Sequence, residues 1–392
     1  RLRAPQNRST AQRVATEMQW QVVDPRTVKV TLPDVNFKVP TDLQTTFGMI
    51  GSPTAITERG ADFVNNPVGA GPFTLGSWAR GTEMTLVRNE NYWDSPRPYL
   101  DELVVTVVPD EQQRVNAVVS GEIDVNSTQT QSSWEAGIDA GLVDNRTPYL
   151  TTGTGFRYNV RPDAQTANQG LRAAIARAID TQAINDAVHA GAEAPKTLAM
   201  PTAFLYEAEP ELPTEDLAEA QRLLDAYLAE SGQSEVTVRY VYITGIPMIS
   251  QEAQILKAQV ERLNGINFEL VALDSAARQT ALRSGDFDLM YDAVGAWFDP
   301  DTLYARYHSN GSDNTSGISD PEVDAALVKT RSSEDPEVVT DGYVEALRLL
   351  TEKDVVVAWM TQEQAYLTRG NVGGLEPTYQ YFPRAENLWI TE

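Results

Sequence analysis

Apolar and polar residues alternate in two rhythms along the chain, and the rhythm changes near residue 155. Before that point the period is mostly two. Val22, Val28, Val30 and Leu32 predict strands turning at Asp24-Pro25, while PVGAGPFTLGSW, MTLVRN and ELVVTVVP continue in the β manner, punctuated by Gly and Pro. One helix follows them: Asp110 can cap it with Gln113 reaching back, Val115, Val118 and Val119 form its apolar face, and Gly121 supplies a left-handed stop. After residue 155 helices and strands alternate. GLRAAIARAIDTQAINDAVHAG predicts two helices, with Leu171, Ile175, Ala178 and Ile179 on one stripe, Asp180 capping the second, and His189 closing it before Gly191. Thr214 is expected to cap a helix through Leu217, Leu224 and Leu228 that stops near Gly232. Then come the strand VTVRYVYI, a helix through Ile255, Leu256, Val260 and Leu263 stopped at Asn264-Gly265, the strand INFELVAL, a short helix and the strand DFDLMYDAV. Two successive β-α-β crossovers predict a largely parallel sheet covered by helices. Two more helices open with Pro after Asp320 and Asp335, and the strand VVVAWM leads to a Gly-containing tail.

Length and composition narrow the class. A chain of 392 residues predicts two or three domains, and 42% hydrophobic with 22% charged residues is ordinary for a folded globular protein. Thirty-one Lys and Arg against 55 Asp and Glu leave a net charge of −24, which repels phosphate backbones and argues against a nucleic-acid partner. There is no cysteine, so thiolate chemistry, disulfides and Cys-based metal sites are excluded. No apolar run reaches the roughly 20 residues of a membrane-spanning helix. The opening RLRAPQNRSTAQRVATEM has no apolar core of the signal-peptide kind, and any export signal is expected to have been removed or to lie upstream.

Catalytic signals are thin. The only histidines, His189 and His308, are distant in sequence and lie in no HExxH or GxSxG motif. Asp286 with Asp288, and Asp299 with Asp301, are carboxylate pairs of the kind a glycosidase uses, but in so acidic a chain they arise by composition. GAGPF and GTGF lack the helix and Lys of a phosphate loop and are read as turns, and Asn310 to Asn314 lacks the spacing of a calcium loop. No metal and no cofactor is expected. In open α/β sheets ligands sit beyond the carboxyl ends of the strands. That rule selects Thr244 after VTVRYVYI, Asp274 after INFELVAL, and Gly295, Trp297, Phe298 and Asp299 after DFDLMYDAV. Gly153 and Gly155 on one side and Gly370, Gly373 and Gly374 on the other are expected to lie close together as a paired hinge, because Gly absorbs backbone rotation.

Residues 66 to 125 carry an ordered set of motifs: Pro67-Val68-Gly69 with Gly71-Pro72-Phe73, Arg88-Asn89 with Tyr92-Trp93, Pro98-Tyr99-Leu100-Asp101, and Gly121-Glu122-Ile123-Asp124. The set continues through Arg172, Ala174, Ile175 and Ala178-Ile179-Asp180, Gly265-Ile266, Gly285-Asp286-Phe287-Asp288, Asn314 and Asp324. In this order they resemble the family 5 extracellular solute-binding proteins of ABC importers, the group of oligopeptide, dipeptide and nickel receptors. The resemblance implies an α/β, two-lobed fold of the type II periplasmic-binding-protein kind with an extra domain, its mixed, mostly parallel sheets joined by a hinge. On that basis residues 1–45 are expected to be the remnant of the extra domain, 46–152 with 375–392 the first lobe, and 153–374 the second. It also implies a further stretch ahead of the segment matching Gln19 to Leu32, including the first strand and most of the extra domain.

The function the resemblance implies is capture of a small solute, an oligopeptide first, in an interlobe cleft and its delivery to permease subunits. The protein would be a monomer without catalytic activity, periplasmic or extracellular, and held at the membrane as a lipoprotein through an N-terminal segment outside this sequence. The string Gly295-Ala296-Trp297-Phe298-Asp299-Pro300 is out of register with the Gly-Trp and Asp that hold a peptide amino group in the family, so oligosaccharides and other polar solutes stay open. The competing reading is a carboxylate-dependent hydrolase. Tyr158 and Asn159, just past the first crossing, and Trp297, Phe298 and Asp299 are expected to border the cleft.

Overall fold

Contacts divide the chain into two units, Arg1–Asp42 with Thr151–Gln362 and Leu43–Leu150 with Glu363–Glu392. The computed structural model describes residues 18–43, 48–128, 130–189, 191–199, 211–294, 301–376 and 383–391. Two boundaries differ from expectation. The opening segment groups with the larger unit instead of standing as a remnant, because the Phe37 amide donates to the Arg331 carbonyl at 2.9 Å and the Lys38 ammonium lies 5.9 Å from the Tyr343 ring. The second crossing falls at Gln362 and Glu363, inside a continuous strand, and not at 370–374.

The opening hairpin joins β1 (Gln19–Asp24) to β2 (Thr27–Thr31), and a short helix, α1 (Val39–Asp42), follows. In the smaller unit, α2 (Pro53–Arg59) precedes an antiparallel sheet of β3 (Phe73–Ala79), β4 (Glu83–Arg88) and β5 (Glu102–Thr106). Then come α3 (Glu111–Ser120), β6 (Val125–Thr128) and α4 (Gln131–Asp139). The expected cap of α3 is present, with the Asp110 carboxylate accepting the Gln113 amide at 2.8 Å and Gly121 at φ 81°. Val115, Val118, Leu142 and Leu367 form this unit's small core.

A sixteen-residue strand, β7 (Val143–Tyr158), leads into the larger unit. There α5 (Gln169–Arg177) and α6 (Thr181–Val188) are followed by α7 (Leu217–Ser231), β8 (Val236–Ile243), α8 (Pro247–Val260), β9 (Ile266–Leu273), α9 (Ser275–Ser284) and β10 (Leu289–Ala293). Next are α10 (Thr302–Tyr307), α11 (Pro321–Ser332), α12 (Pro336–Glu352) and β11 (Val356–Thr368), which returns to the smaller unit, where β12 (Val372–Gly373) pairs with β13 (Trp389–Ile390). The cap of α7 is Asp216, not Thr214: its carboxylate accepts the Glu219 amide at 3.0 Å, and a cap must stand immediately before the first helical residue. Helix α8 likewise ends at Val260, ahead of the expected stop at Asn264-Gly265.

The sheet order is β6-β11-β7-β10-β8-β9. Its parallel part is β10-β8-β9, while β7 runs antiparallel to β10 and β6 antiparallel to β11, so the sheet is mixed. Helices α5 to α8 bury Leu171, Ile175, Leu224 and Leu256 against Phe156, Val238, Tyr240, Phe268 and Trp359. Each such side chain contributes about 1.5–3 kcal/mol when fully removed from water. On another side Leu303, Leu327, Leu347 and Leu350 pack with Val356.

The GTGF string is not a turn. It lies within β7, where a Cβ on Gly155 would stand 2.0 Å from the Val357 carbonyl oxygen and 2.5 Å from a Val294 methyl. Close approach of the β11 backbone is the reason for that glycine. The expected cluster of hinge glycines does not form either: Gly155 abuts Val357, whereas Gly370 abuts Val143, at the opposite end of β7. Gly153 is also a β7 residue. Gly373 and Gly374 are required by packing of their own, since added Cβ atoms would meet the Trp389 ring at 2.0 Å and the Asn387 carbonyl at 1.8 Å.

Candidate functional site

The carboxyl ends of β8, β9 and β10 lie together because these three strands are parallel. Ile243 is followed by exposed Thr244, whose amide donates to the Leu273 carbonyl at 2.9 Å, and Leu273 by exposed Asp274. The Asp274 carboxylate accepts the Ala277 amide at 2.8 Å as the cap of α9, which gives it a structural task. Beyond Ala293 and Val294, Gly295, Trp297, Phe298 and Asp299 lie outside the described residues.

Tyr158 and Asn159 are not at this end. The antiparallel register pairs Thr154 with Ala293 and Tyr158 with Leu289, so moving along β7 to Tyr158 means moving away from the carboxyl ends. Both are buried and fully engaged. The Tyr158 hydroxyl donates to the Arg172 carbonyl at 3.0 Å, and its ring meets Phe156 edge-on at 5.2 Å. The Asn159 carboxamide donates to the Gly285 and Phe287 carbonyls, both at 3.0 Å, and accepts from Arg161 Nη1 at 2.9 Å. Asn159 therefore locks the Gly285–Asp288 loop. Asp288 completes it by accepting the Arg239 amide at 2.8 Å, while burial, opposed by that hydrogen bond, pushes its carboxyl pKa up. Arg172 serves a similar structural end, its guanidinium donating to the Thr166, Ala167, Lys353 and Asp354 carbonyls.

What the fold does assemble at the carboxyl end is a group of arginines that periodicity alone did not single out. Arg157 of β7 lies on the same face as Asp292 and pairs with it; its Nη1 also donates to the Thr315 hydroxyl at 2.7 Å. Gly155 stands opposite Asp292 in the register and leaves room for the pair. Burial works against the Arg157 charge, but Asp292, with Tyr307 and Asp313 beyond it, more than offsets burial and holds the guanidinium above its ordinary pKa. Arg278, from α9, donates Nη2 to the Tyr291 carbonyl and forms an ion pair with Asp292 at 3.6 Å, and its buried Nε has no hydrogen-bond partner among the described residues. Arg306, from α10, donates to the Ala293 carbonyl and stands 3.5 Å from Asp313. A legible trace of this group existed in the sequence: Arg157 is a charged residue inside the apolar run GFRYNV.

The opposite face of the same strands carries a second polar group. Glu252 is buried; one carboxylate oxygen accepts the Trp359 indole N–H at 3.1 Å and meets His189 Nε2 at 2.5 Å, and the other has no hydrogen-bond partner among the described residues. Burial first, then the Glu252 charge, push the Tyr291 phenol upward. Among the described residues no group of three or more His, Asp or Glu side chains is placed to hold a metal ion, and no helix is long and apolar enough to cross a membrane.

The chain matches the family model described as bacterial extracellular solute-binding proteins, family 5 Middle, over residues 1–316. It is 28% identical over 306 residues to protein XP55 of Streptomyces lividans, covering 74% of this chain and 54% of that protein. The chain spans little more than half the length of the first curated relatives it matches. Among solved structures it resembles AgaA of A. tumefaciens R10, in complex with agropinic acid, with a TM-score of 0.86 and 23% identity, covering 100% of this chain and 82% of that one. DppA of Helicobacter pylori, in complex with the peptide STSA, gives 0.87 and 18%, covering 100% and 78%. These likenesses show the two-lobed type II fold.

Proposed function

Since the chain belongs to the family 5 bacterial extracellular solute-binding proteins, we propose that it is the receptor of an ABC importer, binding a small solute at the carboxyl end of the larger unit's sheet and passing it to a permease. The observation that carries this reading is the arginine-lined carboxyl end of β10, combined with family membership over residues 1–316. Peptides are the first solute class: relatives of the chain include a di/tripeptide-binding protein of Pseudomonas aeruginosa, 25% identical over 84% of this chain and 63% of that protein.

Binding is favoured over hydrolysis by the state of the two histidines. Among the described residues His189 faces Glu252, while His308 Nδ1 accepts the Asn310 amide at 3.0 Å and its ring stacks on Tyr304 at 4.2 Å, contacts that give both imidazoles a structural setting. Asp301, one half of a carboxylate pair weighed for acid–base work, is held by both Nε and Nη2 of Arg331 at 2.8 and 2.7 Å. The protein works outside the cytoplasmic membrane, as a monomer, and its −24 charge leaves nucleic acid out of its partners. Calorimetric titration with peptides of two to five residues, and native mass spectrometry of the purified protein for a retained solute, test the reading. Saturable one-to-one binding without product formation is the expected result. Turnover of a bound solute would overturn it.

A further inference from the structure

Two exposed asparagines of the larger unit precede glycine, and the fold treats them differently. Asn264-Gly265 lies in the turn between α8 and β9, and Asn310-Gly311 follows α10. An asparagine before glycine can lose its side-chain amide to the next backbone nitrogen, because glycine puts no Cβ in the way. In a folded chain the rate depends on whether that nitrogen is free. At Asn310 it is not: the Gly311 amide donates to the His308 carbonyl at 2.7 Å, and Gly311 is buried so closely that an added Cβ would lie 2.3 Å from the Ala305 carbonyl oxygen. The Asn310 amide is tied as well, to His308 Nδ1 at 3.0 Å.

At Asn264 the nitrogen is available. Among the described residues the Gly265 amide donates to no acceptor and the Asn264 carboxamide makes no hydrogen bond. What holds the turn is Gln221, whose Oε1 accepts the Asn264 amide at 2.8 Å and whose Nε2 donates to the Asn264 carbonyl at 3.1 Å. Both bonds are exposed, so water competes for them. Packing also fixes the glycine, which sits at φ 90° with an added Cβ 2.7 Å from a Leu228 methyl.

We propose that Asn264 is a site of spontaneous deamidation in the folded protein, and that the fold protects Asn310 from the same reaction. Hydroxide takes the Gly265 amide proton and the nitrogen attacks Asn264 Cγ; the N–Cγ bond forms, the Cγ–Nδ2 bond breaks and ammonia leaves. Water then opens the cyclic imide at one carbonyl or the other, giving isoaspartate or aspartate. Either product adds one negative charge. Isoaspartate also inserts a carbon into the main chain directly ahead of β9, where the Gly265 carbonyl accepts the Val236 amide at 2.9 Å.

The purified protein, held at mildly alkaline pH, is sampled by peptide mapping with mass spectrometry, which reads the change from amide to acid at each asparagine. The same incubation in denaturing urea gives the reference, where the two Asn-Gly pairs are expected to react at comparable rates. In folded protein Asn264 should react roughly fivefold or more faster than Asn310, the scale set by one backbone hydrogen bond that must open. Asn264→Gln, whose side chain would have to close a larger ring, should remove the first acidic form to appear on ion exchange, with thermal melting showing that the variant is folded. An Asn264 that keeps its amide in folded protein while reacting in urea, an Asn310 that reacts as fast, or persistence of that acidic form in folded Asn264→Gln overturns the assignment.

Discussion

Asp354 shows how one residue can carry opposing demands. It sits at a left-handed φ of 48°, is buried, and meets Arg177 Nη1 at 3.1 Å. Burial outweighs the Arg177 charge and its hydrogen bond, so the carboxyl pKa lies above its ordinary value. For an acid raised in the folded state, the stabilising contribution is fully present below the unfolded pKa and is lost as pH rises through the folded one. Asn is uncharged throughout and tolerates positive φ. The melting temperature of Asp354→Asn relative to wild type is therefore expected to rise between about pH 3 and pH 7. Scanning calorimetry across that range checks it, and a difference that falls instead would show that the Arg177 pair dominates.

At the scale of elements, the long strands β7 and β11 depend on a residue with no side chain. Gly155 sits where β11 passes so close that a methyl group would overlap the Val357 carbonyl and press on Val294. Gly155→Ala is expected to cost about 1–3 kcal/mol, the usual range for overpacking, read as a lower midpoint in urea denaturation. An unchanged midpoint would mean that the strands separate readily there. Caps tell a complementary story. Asp110, Asp180 and Asp320 cap their helices as the sequence predicts, since a cap bonds to amides only two or three residues ahead. Thr214 and Asp216 are both eligible cap types two positions apart, and the choice between them depends on where packing against the sheet starts the helix.

For the whole molecule, stability should be unevenly spread. Strand β8 is flanked on both sides by β9 and β10, and its Val238, Tyr240 and Val241 are fully buried. The β1-β2 hairpin is a two-stranded sheet with Trp20, Val22, Val23 and Val28 exposed. Such hairpins are marginal on their own. Hydrogen exchange is expected to find the β8 amides among the slowest and those of β1 and β2 among the fastest. Protection of the hairpin equal to that of β8 would show that another surface covers it.

What the sequence determined by itself was local or ordered along the chain. The bounds of β8 and β9 coincide with the runs VTVRYVYI and INFELVAL, because short runs rich in β-branched, aromatic and other apolar residues between turn residues are a local signal for a strand. The motif order carried the family. Tertiary structure decided which residues meet. Tyr158 and Asn159 are core residues because antiparallel pairing carries the end of β7 away from the carboxyl ends of β8, β9 and β10, and register is invisible in either strand alone. His189 and Glu252 touch across 63 positions, and Arg157 reaches Asp292 across 135, distances over which periodicity holds no information. Buried polar pairs of that kind arise only when separate elements pack, because the low-dielectric space that makes a partner obligatory does not exist until the chain has folded.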